Sequence, residues 1–329
     1  MPITNKRHFI DNIKVVLIFL VVFGHLIERY IDTSDTLMAI YMFIYIFHMP
    51  LFIYISGYLS KNVNKSKKIF LKDLLIPYIF LNIIWYSLAY IYTGDINLPI
   101  IYPGWTLWFL LSLFFWRSSL KYLIKIKYIL PISFILGILI GLIPNGSILS
   151  FSRTIVFLPF FLLGYYTDIE KIKYIFDKVN IGICILGILI FIIVSFFIAN
   201  KNILDYRFLY GSHSYKELGI SIYIGIISRI LLYISSILLS LFVSYIIPTS
   251  KTFFTHIGKS TMYIYAFHTY IILIIFYLIP SWNKSLLTNL IIIISPLLVT
   301  YILSCKFFEK TYNMVLNPIC KLILLYIHV

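Results

Sequence analysis

Charged residues and cysteines are scarce in this chain of 329 residues. Asp, Glu, Lys and Arg together make up 12% of it, whereas hydrophobic residues make up 61%. A soluble domain of this length needs far more polar surface, so the composition excludes an ordinary soluble protein. The three cysteines, Cys184, Cys305 and Cys320, are odd in number and have no metal-ligand spacing. We therefore propose neither a disulfide nor a zinc site, and we expect no metal.

Apolar runs of about 17 to 25 residues recur along the whole chain, and each is long enough to cross roughly 30 Å of hydrocarbon. Aromatic residues make up 19% of the chain, with many Tyr at the ends of the runs, as in interfacial belts. The pattern predicts an all-α, polytopic membrane helix bundle that forms one domain over residues 1–329. About ten spans are predicted, at residues 11–29, 37–59, 69–92, 104–120, 127–143, 150–166, 180–199, 218–247, 261–280 and 286–306.

The net charge of +15 raises the possibility of a nucleic-acid partner, and the distribution of the charge argues against it. When the basic residues are sorted by the predicted spans, twenty lie on the side of the N-terminus and six on the other, and Arg229 lies within a span. Such a bias is typical of membrane proteins, whose cytoplasmic loops are rich in Lys and Arg. It predicts a multi-pass protein of the cell membrane with both termini in the cytoplasm, and it explains the charge without nucleic acid.

The first predicted span carries polar residues on one face. Lys14 and His25 are eleven residues apart, and eleven steps of about 100° return to nearly the same side of a helix, about 16 Å further along. Asp11, three residues before Lys14, and Glu28, three after His25, join that face. Ionisable groups are costly inside a bilayer and are functional by default. This stripe is therefore the first candidate site.

The stripe has a chemical interpretation. Histidine is the usual general base near neutral pH, and a carboxylate one turn away fixes its tautomer. A lysine at the cytoplasmic end can meet an anionic group that arrives from that side. The alternatives are that Lys14 extends to the headgroups as an ordinary topology residue, and that His25 is a hydrogen-bonded core histidine. The shared face favours the functional interpretation without excluding the others.

These residues resemble the acyltransferase-3 family of integral membrane acyltransferases. That family opens with a basic residue, ten further residues and a histidine on its first helix, and Lys14 and His25 match this spacing with Lys in place of the commoner Arg. Four later stretches are similar to family segments in the same order: "FHMPLFIYISGYL", "WTLWFLLSLFFW", "FLPFFLLGYY" and "IGKSTMYIYAFH". The resemblance covers nearly the whole chain, and it is nearest to the subgroup that O-acetylates sugars of surface polysaccharides.

The resemblance implies a donor, acetyl-CoA or a related acyl-CoA, that is presented from the cytoplasm, and an acceptor hydroxyl on a glycan at the outer face. It implies that His25 is essential and that Lys14 assists the acyl-CoA. Many members carry a hydrolase-like domain that this sequence lacks, so we expect the chain to finish the transfer itself or to pass the acyl group to polysaccharide-assembly proteins.

We therefore predict an O-acetyltransferase that moves an acyl group from cytoplasmic acyl-CoA to a capsular or cell-wall polysaccharide or its lipid-linked precursor. His25 is the expected general base or covalent acyl carrier, two roles between which the sequence does not choose. Glu28 orients it. Arg229, His268 and Arg153 are candidate substrate-binding residues. The alternatives are a polysaccharide exporter or flippase without chemistry, and a succinyltransferase of the same family.

Overall fold

The computed structural model describes residues 3–94, 101–168, 176, 179–279, 281–282 and 285–326. This part of the chain is mainly helical and contains no β-strand. Short 3₁₀ segments, of which Glu28–Thr33 and Thr255–Lys259 bear on the site, connect some of the helices. The α-helices are α1 (Ile3–Ile27), α2 (Asp35–Tyr58), α3 (Lys67–Phe70), α4 (Ile76–Thr93), α5 (Trp108–Leu123), α6 (Ile129–Leu139), α7 (Phe151–Tyr166), α8 (Ile181–Lys201), α9 (Ile222–Ile246), α10 (Thr261–Leu278), α11 (Leu286–Leu303) and α12 (Lys306–Tyr326).

Within the described residues, eight helical segments are long and apolar enough to cross a membrane. They coincide with eight of the ten predicted spans. The other two, 104–120 and 127–143, overlap α5 and α6, which are only 16 and 11 residues long, and α6 continues through a 3₁₀ turn, Ile140–Leu142. The prediction of an all-α, polytopic membrane helix bundle is confirmed. The eight segments are Asn5–Thr33, Asp35–Tyr58, Lys67–Ile91, Ile148–Tyr166, Ile181–Lys201, Ile222–Ile246, Thr261–Leu278 and Leu286–Leu303.

The helices differ in how much of their apolar surface the protein covers. In α1, 67% of the most apolar stretch is buried, and Leu17, Ile18 and Ile27 are fully enclosed. In α8 only 11% is buried, although its hydropathy is the highest of the eight. A helix that is apolar all round and largely uncovered is suited to lipid contact, whereas α1 is an interior helix. Polar side chains on α1 are therefore held against protein.

The chain divides into two compact units. The first comprises Met1–Phe52, Thr167–Leu209 and Leu232–Tyr312, and the second comprises Ile53–Tyr166, Tyr210–Leu231 and Asn313–Val329. Nothing in this division tests the prediction of one domain over residues 1–329, which stays a prediction. The predicted orientation also stays a prediction, and four of the lysines on which it rests, Lys171, Lys173, Lys178 and Lys284, lie outside the described residues.

In the first unit, α1 packs against α10, α11 and the 3₁₀ segment Thr255–Lys259. Asn12 stabilises this packing near the start of α1 through side-chain hydrogen bonds. Its amide nitrogen donates to the carbonyls of Pro248 and Ser250 at 2.8 and 2.9 Å, and its amide oxygen accepts from the hydroxyl of Thr255 at 2.7 Å. A buried amide with these partners costs little to bury and fixes the helix in register. Asn12 thus holds the residue 248–255 segment beside the Lys14 end of α1.

In the second unit, two glycines allow a close helix crossing. A Cβ atom added to Gly57 would lie 1.9 Å from the carbonyl oxygen of Phe161, and one added to Gly164 would lie 1.9 Å from that of Tyr54. The backbones of α2 and α7 therefore approach more closely than any other residue type permits, as at small-residue interfaces in membranes. Either glycine changed to alanine would push the two helices apart.

Candidate active site

His25 and Glu28 form a hydrogen-bonded pair at the end of α1. His25 lies in the last turn of the helix and Glu28 begins the 3₁₀ segment, so a spacing of three residues puts their side chains side by side. Nδ1 of His25 is 2.9 Å from Oε2 of Glu28. Because the carboxylate oxygen accepts this bond, Nδ1 carries a hydrogen, and in the neutral imidazole Nε2 then has the lone pair. That is the tautomer in which imidazole acts as a base through Nε2.

A second histidine, His268 of α10, faces the first. The ring centroids of His25 and His268 are 5.7 Å apart, and His268 is 0% exposed. Nδ1 of His268 donates to the backbone carbonyls of Tyr265 at 2.7 Å and Ile264 at 3.2 Å. Since carbonyl oxygens only accept, Nε2 of His268 also keeps its lone pair. No hydrogen-bond partner for this nitrogen lies among the described residues.

The helix α2 brings Tyr45 and His48 to the same place. The ring of Tyr45 packs edge-on against both His25, at 6.3 Å between centroids, and His48, at 4.7 Å. Nδ1 of His48 donates to the carbonyl of Ile44 at 2.8 Å, so its Nε2 is also left as an acceptor. Gly24 permits the contact, since a Cβ there would lie 3.0 Å from the ring of Tyr45.

The three histidines do not amount to a metal centre in the described part of the chain. No group of three or more His, Cys, Asp or Glu side chains there has a geometry that holds a metal ion. What the three imidazoles share is the direction of their hydrogens, because each donates from Nδ1. They give this buried region three ring nitrogens, the Nε2 atoms, that can accept a hydrogen bond.

The other end of the polar face on α1 carries an ion pair. Nζ of Lys14 is 2.9 Å from Oδ1 of Asp11, and both side chains are largely buried. Residues 248–259, which pack beside this end of α1, carry two further cations, Lys251 and Lys259, and both are exposed. Lys14 is therefore paired with Asp11, and any anionic ligand must compete with that carboxylate for it.

The remaining two predicted site residues belong to the second unit. Arg153 lies in the first turn of α7, with its guanidinium 5.1 Å from the ring centre of Trp108 and 5.8 Å from that of Tyr210, a cation–π arrangement. Arg229 of α9 is fully buried beside Tyr215. Burial raises the pKa of the Tyr215 phenol, against an opposing effect of the Arg229 cation, and the phenol donates to the carbonyl of Ile138 at 2.7 Å.

The structure thus groups His25, Glu28 and His268, and it adds Tyr45, which sequence reasoning missed. A signal for it existed. Tyr45 is three residues before His48, so the two share a face of α2. His48 lies in "FHMPLFIYISGYL", one of the stretches that resemble the family. Whether these residues perform catalysis is not tested by the geometry, and their roles stay predictions.

Fold and site together define a multi-pass membrane protein with a histidine hydrogen-bonded to a carboxylate at the end of an interior helix. The model of the acyltransferase-3 family, described as an acyltransferase domain, matches residues 7–305. The chain belongs to this family, and it is a membrane acyltransferase. No curated protein and no solved structure matches it. The subgroup, the donor and the acceptor are therefore matters for a proposal.

Proposed function

We propose that this protein is an O-acetyltransferase of the cell membrane, and that it moves an acetyl group from cytoplasmic acetyl-CoA to a hydroxyl of a surface polysaccharide or its lipid-linked precursor. The observation that carries the proposal is the bond from Nδ1 of His25 to the carboxylate of Glu28. It prepares one imidazole nitrogen as a base inside a chain of an acyltransferase family.

The chemistry follows from that tautomer. Nε2 of His25 accepts the proton of the acceptor hydroxyl while the hydroxyl oxygen attacks the thioester carbonyl. The carbon–sulfur bond breaks, and the CoA thiolate takes the proton from the imidazolium. Glu28 stabilises the positive charge that the ring carries between these steps. We favour this direct transfer over an acyl-histidine, because Nε2 of His268 supplies a second acceptor able to orient the incoming hydroxyl.

The donor side is assigned to the opposite end of α1. Lys14, Lys251 and Lys259 carry three positive charges on segments that pack together, which fits the phosphates of CoA in sign. Lys14 is about 16 Å from His25 along the helix. The pantetheine arm is a long flexible chain between the phosphates and the thioester, so one donor molecule can contact both the Lys14 end and the His25 end of α1. Asp11 opposes this binding, and we assign the larger share to the exposed lysines.

The rival function is export of a polysaccharide without chemistry. Membership of the acyltransferase-3 family and the tautomer of His25 both favour the enzyme. A succinyl donor differs from an acetyl donor by a carboxylate near the reacting carbon. The described surroundings of His25 already include the carboxylate of Glu28, which favours the uncharged acetyl group.

The test is NMR of the surface glycan from cells with and without the gene, and with a His25→Ala copy. We expect the O-acetyl resonances to disappear in both altered strains while the same glycan still reaches the surface. Loss of the glycan itself would establish an exporter. Unchanged O-acetylation in the deletion strain would refute the proposal.

A further inference from the structure

A polar cavity lies in the first unit, close to the His25 end of α1. Its volume is about 390 Å³, within the range of ordinary small-molecule sites. Its polar lining comes from the 3₁₀ segment after α1 and from the turn after α8, and consists of Asp32, Asn202, Asp205, Tyr206 and Arg207. Met42 and Ala199 add an apolar wall. None of these residues takes part in the chemistry assigned to His25.

An unbroken series of aromatic rings connects this cavity with the candidate base. The ring of Tyr206 packs edge-on against Tyr41 at 6.0 Å between centroids, and Tyr41 stacks on Tyr45 at 3.9 Å. Tyr45 in turn contacts His25. The cavity is also joined to the base through the chain, since Asp32 lies four residues after Glu28 in the same 3₁₀ segment. The cavity is thus connected to His25 through the rings of Tyr206, Tyr41 and Tyr45.

The charge of the lining is mostly cancelled within the protein. Nε of Arg207 donates to Oδ1 and Oδ2 of Asp205 at 3.1 and 2.9 Å, and Nη2 also donates to Oδ2, so both carboxylate oxygens accept from this guanidinium. Asp32 is then the carboxylate left over, so the lining as a whole is negative by one charge. An anionic ligand such as a uronic acid or a phosphate is repelled by this lining, whereas a neutral ligand is not.

The chemistry of the lining matches a sugar. Asp32 and Asp205 accept hydrogen bonds, Arg207 donates, and the amide of Asn202 does both, which is what adjacent hydroxyls require. Burial, followed by the nearby carboxylates of Asp32 and Asp205, raises the pKa of the Tyr206 phenol, so this group stays protonated. Its ring and the side chain of Met42 offer an apolar surface for the carbon-bound hydrogens of a pyranose.

We propose that this cavity binds a neutral pyranose unit of the acceptor glycan and holds it beside the His25 site. The proposal rests on the proposed function for the identity of the acceptor. It deepens that function by excluding acidic sugars at this subsite and by assigning acceptor recognition to the 199–207 turn instead of to Arg153 or Arg229.

The test is saturation-transfer-difference NMR on the full chain in lipid nanodiscs, without any acyl donor. The probes are methyl glucopyranoside, methyl N-acetylglucosaminide and the anionic methyl glucuronide. We expect saturation transfer to the two neutral glycosides and at least tenfold less to the glucuronide. Equal transfer to all three probes, or none to the neutral ones, would overturn the proposal.

Two variants locate the binding. Ala199→Phe fills the cavity, and Asn202→Gly removes a lining amide while suiting the left-handed backbone there, where φ is 47°. Both should abolish transfer to the neutral glycosides. Asn200→Ala is the matched control, because Asn200 is exposed in the last turn of α8, close in sequence to both variants, and does not line the cavity. If Ala199→Phe does not fold, Asn202→Gly alone decides, and undiminished binding in it refutes the proposal.

The binding measurement separates this proposal from the proposed function. Neutral glycosides that bind to a protein with no acyltransferase activity would leave the cavity assignment standing and refute the enzyme assignment. Normal glycan acetylation by both cavity variants would leave the enzyme assignment standing and refute the cavity assignment.

Discussion

The phenol oxygen of Tyr45 lies 3.4 Å from Nδ1 of His25, the nitrogen that donates to Glu28. At that distance the contact is weak, and the 2.9 Å bond to the carboxylate governs the tautomer. The ring of Tyr45 also packs edge-on against His25 from the side of α2, at 6.3 Å between centroids. His25 is therefore contacted from two sides, by the carboxylate of Glu28 in the 3₁₀ segment after α1 and by the ring of Tyr45 on α2.

His25 itself provides the first prediction. General-base assistance contributes about 10²–10⁴-fold in rate, so His25→Ala should reduce acyl transfer by at least two orders of magnitude with normal membrane levels. His25→Gln keeps much of the size and polarity but cannot take a proton near neutral pH, and it should fail as well. The measurement is acylation per inserted molecule. Near-normal turnover in the Gln variant would show that His25 is a core histidine.

Glu28 and Tyr45 should differ in effect although both approach Nδ1 of His25. Glu28→Gln retains a hydrogen-bond acceptor and loses the charge that stabilises the imidazolium, so kcat should fall about tenfold and KM should change little. Tyr45→Phe keeps the ring stack on Tyr41 and should cost less than threefold. Steady-state kinetics on the purified protein measures both. A larger loss in Tyr45→Phe than in Glu28→Gln would assign the orienting role to the phenol.

The pairs along α1 could be predicted from the sequence because they are local. A spacing of three residues on a helix brings side chains together whatever surrounds them, and both the Asp11–Lys14 and His25–Glu28 contacts follow from it. The helical class followed from the length of the apolar runs. The approach of His268 depends on which helices become neighbours, and sequences that are apolar on every side do not identify their partner faces. For the same reason the sequence does not show that Asp32 and residues 199–207 line one cavity.

Lys14 should matter for the donor more than for the chemical step. Lys14→Met should raise the KM for acetyl-CoA by roughly three- to tenfold and leave kcat nearly unchanged, whereas Lys14→Arg should keep both, because a cation is retained. Lys65→Met, at an exposed position in the loop after α2, is the matched control. If the ion pair is only structural, Asp11→Asn should reduce activity as much as Lys14→Met does, and the donor assignment fails.

The orientation can be read with single cysteines in a Cys305→Ser background, since Cys305 is the exposed native cysteine among the three. Asn64 and Lys216 are both exposed, whereas the neighbouring Ser212 is buried and unsuitable. In intact cells an impermeant maleimide should label a cysteine at position 216 and should reach one at position 64 only after permeabilisation. Labelling at position 64 in intact cells would invert the topology and with it the side from which the donor comes.

His268 supplies the last prediction, and two isosteric substitutions separate its possible roles. His268→Asn retains a donor near the position of Nδ1 for the carbonyls of Ile264 and Tyr265 but removes the acceptor at Nε2. His268→Gln retains an amide near the position of Nε2 and gives up the backbone bonds. If Nε2 orients the acceptor hydroxyl, the Asn variant should fold normally and transfer about tenfold less, which is the value of one lost hydrogen bond.

The decisive comparison is between transfer to the glycan and hydrolysis of acetyl-CoA by water, measured on the same preparations. A positioning role for His268 predicts that the Asn variant loses transfer and retains hydrolysis, because water needs no oriented sugar. A merely structural role predicts that the Gln variant is the worse of the two, since the backbone carbonyls lose their donor, and that both reactions fall together with the amount of folded protein. Parallel loss of the two reactions in His268→Asn would remove His268 from the acceptor site.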